Sequence, residues 1–316
     1  SMRRSLCLET RYLDPVEQDK AKATAHQYLN ERWAFAADEN LETAKYLILT
    51  KRPEYRGKPR TDLDTGHGLV SDVSIKRKVR DAIQFQIDEG ILPAEHNRIF
   101  IRRGVALNAE LEDAYDTLGL EKGKNVKGDS VAKAGSYMVE NYFDVRMFGA
   151  VMSTGNASAG KITGPVTIGI ARSLDPVLPI DLSITRTAST KEENKDNASQ
   201  MGSKTVIPYG LYACRVHYQP TRNNQVTSVD LEALWSTLTN MFEVTRSAAR
   251  PDVSVRNLFV FSHSNALGNA PARTLLDSIK ITKTTDKEIP TTGADYTITP
   301  PVEGEVKPGV TFKQVL

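Results

Sequence analysis

The sequence of 316 residues holds only two cysteines, Cys7 and Cys214, far apart in the chain. That excludes a disulfide framework and a cysteine-based zinc site, and it fits a reducing compartment. No apolar run reaches the roughly 20 residues that a membrane-spanning helix needs. The basic opening SMRRSLCLETRYLDP is not followed by an apolar segment, so it does not read as a secretory signal, and a cytoplasmic protein is expected. An excess of one charge is also missing: 41 Lys and Arg stand against 39 Asp and Glu, a net charge of +2. Bulk charge therefore does not mark a nucleic-acid binder, and any such activity must rest on local clusters. The five histidines, His26, His67, His96, His217 and His263, show no HxxxH spacing, and there is no GxSxG, Walker loop or post-strand GxGxxG. No cofactor is expected. No internal repeat is present.

What remains is ordinary globular composition, 40% hydrophobic and 25% charged, long enough for one large domain or two smaller ones. Residues 15 to 50 are rich in Ala, Glu, Lys and Leu and read as helical, with Asp14 and Pro15 suited to the first turn. A Pro/Gly-punctuated basic loop follows. Ser71 is a plausible N-cap for a helix in which Ile75, Val79, Ala82, Ile83 and Gln86 share one side. Residues 107 to 118 read as a helix capped at Asn108, and VAKAGSYMVENYF as another. DVRMFGAVM, GPVTIGIARSLD, KTVIPYGLYACRVHYQP and VRNLFVFSH read as strands. STKEENKDNASQMGS, residues 189 to 203, is too polar for a core and reads as a protruding finger or loop. An amphipathic helix carries Leu231, Leu234, Leu238, Met241 and Phe242; APARTLLDSIK reads as one more helix, and the tail holds a weak strand. Helices interleaved with short strands point to α+β with an antiparallel sheet rather than a doubly wound parallel one.

Basic residues carry the richest signal. At about 100° per residue, Lys76, Arg77 and Arg80 lie together opposite the apolar side of their helix, with Lys78 at a flank. This is either a solvated face or a surface for an anion. Arg146, read as lying in a strand beside aromatics, could follow a nucleic-acid backbone. Arg172 and Arg186 flank another strand region, and Lys204 follows the polar insertion. Arg246 and Arg250 close a helix, where they also complement the dipole. Met201 has no local core around it, so it either packs on a neighbouring subunit or wedges between bases. His67 in GHG is a turn histidine or an acid/base. Asp62, Asp64 and Asp72 are loop and cap residues or a magnesium site.

The motifs TDLDTGHGLVSDVSIKRKVRD, NYFDVRMFGAVM, GPVTIGIARSLDP, ITRTA, MGSKTVIPYGLY, MFEVTRSAAR and LFVFSHSNALGNAPARTLLD resemble, in this order, the backbone subunit of type I-C CRISPR Cascade, the Csd-type branch of its superfamily. The resemblance spans roughly residues 59 to 316. It implies a modified RNA-recognition-motif palm, ferredoxin-like, with an antiparallel sheet, a helical elaboration and a protruding β-hairpin thumb. It implies several copies side by side on one guide RNA, whose exposed bases pair with target DNA. Further implied partners are the processing or cap subunit and the large subunit; a membrane is not among them. Processing belongs to another subunit, so the chain is not expected to be an enzyme. The resemblance assigns guide-phosphate contacts to Lys76, Arg77, Lys78 and Arg80, and RNA-facing roles to Arg146, Arg172, Arg186, Lys204, Arg246 and Arg250. It makes Met201 the base wedge of a thumb around residues 187 to 205. No catalytic and no metal residue is implied. The alternative is a metal-dependent endoribonuclease of the same superfamily using a loop Asp. Residues 1 to 58 depart from the family: the usual first palm strand and its loop are not evident. Either KYLILT supplies that strand or the palm is altered there.

Overall fold

The computed structural model describes residues 43–50, 54–55, 58–123, 126, 128–186, 200–223, 225–247 and 251–316. The KYLILT stretch lies within strand β1 (Thr43–Thr50), in the middle of the main sheet. β1 is antiparallel to β11 (Leu211–Tyr218) on one side and β12 (Ser254–His263) on the other, with Leu47 opposite both Cys214 and Leu258. A helix reading up to residue 50 is thereby corrected. Ladders on both sides satisfy the backbone of Tyr, Leu, Ile and Thr residues that suit a strand, and they override the helical leaning of the preceding sequence. Residues 15 to 42 lie outside the described residues.

One short pair, β2 (Glu54–Tyr55) with β3 (Lys58–Pro59), precedes β4 (His67–Val70). GPVTIGIARSLD divides into β7 (Val166–Ile168) and β8 (Ala171–Pro176), both pairing with β11. With β15 (Gly304–Lys307) and β16 (Val310–Gln314), the sheet runs β15-β16-β12-β1-β11-β8-β4, and β7 pairs β11 beside this path. All its pairings are antiparallel. The mixed helix and antiparallel-sheet class expected from the sequence is the one found.

One face of this sheet carries α1 (Asp72–Asp88) and α5 (Ser228–Val244). Ser71 caps α1 by accepting from the Ser74 backbone N–H at 3.3 Å. Thr227 and Asp230 form a reciprocal capping box on α5. Val79, Ile83, Leu234 and Leu238 from the two helices meet Tyr212, Cys214 and Val216 of β11 in the largest core. Burial pushes the Cys214 thiol up to about 12, so it is a packing group.

A second core belongs to a helical lobe: α2 (Leu107–Thr117), α3 (Asp129–Asn141) and the hairpin of β5 (Gly149–Met152) and β6 (Gly160–Thr163). Ala106, not Asn108, is the N-cap of α2. Between the cores sits α4 (Phe143–Phe148), in residues expected to be a strand. As a helix it sends Phe143 and Met147 into the sheet-side core and Val145 into the lobe core, a division that strand alternation would not produce. Gly149 ends it at φ 73°, and a Cβ there would lie 2.4 Å from the Ile162 carbonyl oxygen.

A third core covers one end of the opposite sheet face, where Leu211, Phe259, Phe261 and Phe312 pack with α6 (Ala272–Leu276). The expected helix APARTLLDSIK is only this short turn; β13 (Lys280–Lys283) begins within it and pairs with β14 (Tyr296–Thr299). KTVIPYGLYACRVHYQP spans two strands: residues 207–210 separate β11 from β10 (Gln200–Val206). β10 pairs with β9 (Ile180–Arg186) as a separate two-stranded arm. The intervening residues 187–199 lie outside the described residues.

Gly149→Ala adds a crowded Cβ at a left-handed position and is expected to cost about 3 kcal/mol or more. Gly104→Ala, also at positive φ (74°) but with nothing within 4 Å of its Cβ, should cost only about 1–2 kcal/mol. Urea unfolding of both variants checks the difference.

Candidate nucleic-acid interface

Helix α1 does not present an open basic face. Lys76 pairs with Asp72 at 3.2 Å and lies over the Phe148 ring at 5.8 Å. Arg77 pairs with Asp81 at 2.7 Å and donates to the Ile101 carbonyl. Lys78 is not at an exposed flank: it is buried and donates to the Thr245 carbonyl at the end of α5. Arg80 is 8% exposed and pairs at 2.7 Å with Asp144, which is 1% exposed. The Asp144 carboxylate also accepts the backbone N–H groups of Phe100 and Ile101, at 2.8 and 3.1 Å. The expected shared surface of Lys76, Arg77 and Arg80 is therefore corrected. A wheel drawn on one helix cannot know that Asp144, 64 residues on, neutralises its third cation.

Arg146 is corrected more fully, because it lies in α4 and not in a strand, and it is buried. Its Nη2 and Nε donate to the two carboxylate oxygens of Asp230 at 2.6 and 3.2 Å. Its Nη1 donates to the carbonyls of His96, Val139 and Glu140, and its Nη2 also reaches Asn97 Oδ1. Every guanidinium nitrogen is committed within the chain. Reversing the charge of Arg80 or Arg146 would report on folding, not on a phosphate contact.

The open cationic surface lies on the sheet. Arg172 on β8 stands directly opposite Ala213 of β11, and Arg215 is two residues along the same strand. Both side chains therefore leave one face, opposite to Tyr212, Cys214 and Val216, which fill the core. His217 and Thr167 are paired on that same face, and Arg222 donates to Thr167 Oγ1 at 3.2 Å. Arg215 is exposed and has no side-chain partner among the described residues. Arg222 also lines a groove of about 900 Å³ between α3, β6 and the 3-10 turn Pro220–Arg222, with Lys161 on the opposite strand wall. Burial and the neighbouring Arg215 cation push the His217 imidazole pKa down, so the ring stays neutral. Arg172 is the one sequence-nominated residue here. Arg215 and Arg222 were missed, although the alternation in LYACRVHY, with 212, 214, 216 and 218 apolar, marks Arg215 as outward.

Arg172 is partly engaged: it pairs with Asp62 at 2.8 Å and donates to Thr65. The Thr65 hydroxyl and the Arg172 guanidinium hold the Asp62 carboxyl below the usual carboxylate range. His67 Nδ1 lies 3.1 Å from the Thr65 carbonyl oxygen, a turn contact. Gly68 is needed there, since a Cβ would meet the Tyr212 hydroxyl at 2.1 Å. Arg246, just past the end of α5, pairs with Glu243 in its last turn. Lys204 is half-buried on β10 opposite Leu182. For Arg186 and Met201 only the strand positions are described, opposite Gln200 and Thr185; Arg250 lies outside the described residues. Among the described residues, no group of three or more His, Cys, Asp or Glu is placed to hold a metal, and no helix is long and apolar enough to cross a membrane.

The family model for CRISPR-associated protein Cas7 matches residues 53–300. No curated protein sequence matches the chain. A solved chain described as CRISPR RNA-guided surveillance complex, pre-nicking, is 13% identical; the match covers 73% of this chain and 79% of that one, with a TM-score of 0.45. A chain of another CRISPR RNA-guided surveillance complex is 12% identical over 73% and 71%, with a TM-score of 0.38. A chain from the cryo-EM structure of the Type III-B Cmr-beta bound to cognate target RNA is 10% identical over 78% and 68%, with a TM-score of 0.35.

Asp144→Ala strands the buried Arg80 cation and two backbone donors, and should cost about 3–5 kcal/mol. Asp144→Asn keeps an acceptor and should cost less. Guanidinium unfolding curves that leave both variants within about 0.5 kcal/mol of the parent would contradict the buried-pair account.

Proposed function

The chain belongs to the CRISPR-associated protein Cas7 family, and from that premise we propose that it is a non-catalytic guide-RNA-binding backbone subunit of a type I-C surveillance complex. Several copies lie side by side along one guide and present its bases to target DNA, within a complex that also holds a processing or cap subunit and a large subunit. The observation that carries this reading is the open sheet face bearing Arg172, Arg215 and Arg222, with Arg215 lacking a carboxylate partner among the described residues. Cations at fixed strand spacing engage phosphates without reading bases, which suits a subunit that must accept any guide sequence. Specificity then rests on base pairing.

The β9–β10 arm is the thumb in this reading. Leu178, Ile180, Leu182 and Ile184 recur at every second residue and are 40 to 57% exposed. An apolar stripe of that kind on an arm outside the main sheet fits contact with a neighbouring copy. Met201 and Lys204 sit on the partner strand, where the wedge and thumb-base roles fall.

The rival reading, a metal-dependent ribonuclease, has its nearest candidates in Asp62, Asp64 and Asp72. Asp62 is held by Arg172, and Asp72 by Lys76, which supports structural roles for both. Magnesium and complementary RNA added to the assembled complex test this directly. Cleavage at regular intervals that Asp62→Asn abolishes would replace the proposal with the rival.

Neutralising Arg172 and Arg215 together, as glutamines, is expected to weaken guide binding. The slope of log affinity against log salt should fall by about 0.7 for each phosphate left without its arginine. An unchanged slope in a folded double variant would remove this face from the interface.

A further inference from the structure

We propose that the groove of about 900 Å³ between α3, β6 and the turn Pro220–Arg222 is a docking site for an extended, acidic segment of a partner protein, which adds to β6 as a further strand. The proposal goes beyond the guide-binding reading and does not rest on it. β6 pairs with β5 on one edge, and that two-stranded sheet has no further member among the described residues. Every residue of β6, Gly160–Thr163, lines the groove. Outside the ladder with β5, their one backbone hydrogen bond among the described residues runs from the Gly160 N–H to Ser158 Oγ, at 3.3 Å. An antiparallel strand with a single partner leaves the backbone groups of every second residue turned outward. An extended chain laid along that edge would pair them. At about 3.3 Å per residue the edge is roughly 13 Å long, room for about four residues of added strand.

The lining fixes the chemistry of that chain. Lys161 and Arg222 are the charged residues of the groove, and no carboxylate lines it. Lys161 is exposed and has no ion pair among the described residues. Asp129, next in sequence to the lining residue Gly128, is taken up by Lys133 at 2.6 Å. Between the cations the lining is aliphatic, from Val131, Val139 and Ile162. Successive side chains of an extended chain point to opposite sides. A segment in which carboxylates alternate with aliphatic side chains therefore meets both features, one set against the valines and isoleucine and the other toward Lys161 and Arg222.

The walls are held in place beforehand. A Cβ at Gly135 would lie 3.0 Å from the Ala159 carbonyl oxygen, and one at Gly160 would lie 3.3 Å from Val131 Cγ1, so α3 and the hairpin already touch. On the turn, Asn223 donates to the Arg146 carbonyl at 3.1 Å and Arg222 to Thr167 Oγ1. Little of the site is left to be ordered on binding. The lining also argues for a peptide over a nucleic acid. Single strands held without base reading rest their bases on aromatic side chains, and no aromatic residue lines this groove. What it offers instead is a strand edge, the feature that recognises an extended peptide. Arg222 is shared with the sheet face, so Lys161 is the cation that reports on the groove alone.

The test is fluorescence anisotropy on the full chain, freed of nucleic acid, with a labelled peptide of alternating Glu and Val, about eight residues long, as probe. Saturable binding is expected, and a peptide of alternating Lys and Val should bind at least about tenfold more weakly. Lys161→Glu should weaken the Glu/Val peptide by about tenfold or more. Arg273→Gln, at an exposed arginine that pairs with Asp277, should leave it unchanged. Strand addition is read separately, by N-methylating the peptide at one or the other set of alternate residues. Only one set carries the N–H groups that face β6, so one methylated peptide should lose about tenfold or more while the other keeps its affinity within about twofold. Binding that does not saturate, equal affinity for the acidic and basic peptides, indifference to Lys161→Glu, or equal tolerance of the two methylated peptides would overturn the proposal. Single-stranded RNA that displaces the peptide and itself loses affinity in Lys161→Glu would overturn it in favour of a nucleic acid. Self-association of the parent that Lys161→Glu abolishes would overturn it in favour of a second copy of this chain.

Discussion

A six-residue helix, Phe143–Phe148, holds the sheet layer and the helical lobe together through two buried ion pairs of opposite polarity. Its Asp144 reaches back to Arg80 on α1, and its Arg146 reaches forward to Asp230 at the start of α5. Each charge is taken out of water, which alone would cost several kcal/mol. The cost is offset because both ends are saturated: Asp144 by two backbone N–H groups besides Arg80, and Arg146 by three carbonyls besides Asp230. Those carbonyls include two from the end of α3, and Asp230 is itself half of the capping box that Thr227 opens on α5. The ion pairs thus fix where helices end and begin, and with that the angle between lobe and sheet.

This network explains how local charge misleads. Lys76, Arg77, Lys78 and Arg80 form the densest basic run in the sequence, yet three of the four have carboxylate partners and Lys78 has a carbonyl. Linear density measures neither exposure nor net charge, because partners arrive from distant segments. Arg215 makes the opposite point. It is the one arginine in LYACRVHY, and it is left open because alternation sends its adjacent residues Cys214 and Val216 to the core side. A cation matters for an external anion when it lacks an internal one, and that property belongs to the tertiary structure.

Much of the fold could be read from the chain where a local signal and the tertiary contacts agree. Ser71 as a cap, Ile75, Val79 and Ile83 as a buried stripe, and the Val-, Tyr- and Phe-rich runs of β11 and β12 as strands are examples. DVRMFG misleads because its Val, Met and Phe suit a strand, while its helical form is imposed by two cores and two ion pairs that no window contains. At the N-terminal side, Ala- and Leu-rich residues favour helix, but Thr43–Thr50 is claimed by ladders with strands more than 160 residues away in sequence. Among the site residues, Arg215 was recoverable from the alternation of its strand.

The division of labour among the cations bears on how such a subunit would work in a row of copies. Cations that are internally paired keep the lobe at a fixed angle to the sheet and do not respond to salt as exposed ones do, because burial shields them from screening. In the proposed guide-binding role, cations on the sheet face are screened and exchangeable, so they would set affinity. If copies are to repeat along one guide, the angle within each must be identical, or errors would accumulate from copy to copy. A seam built on the buried Asp144 and Arg146 would supply that constancy, while a phosphate exchanging at the proposed sheet face of Arg172, Arg215 and Arg222 would leave it undisturbed. The two sets of charges are separable by salt: raising ionic strength should release the ligand well before it loosens the fold.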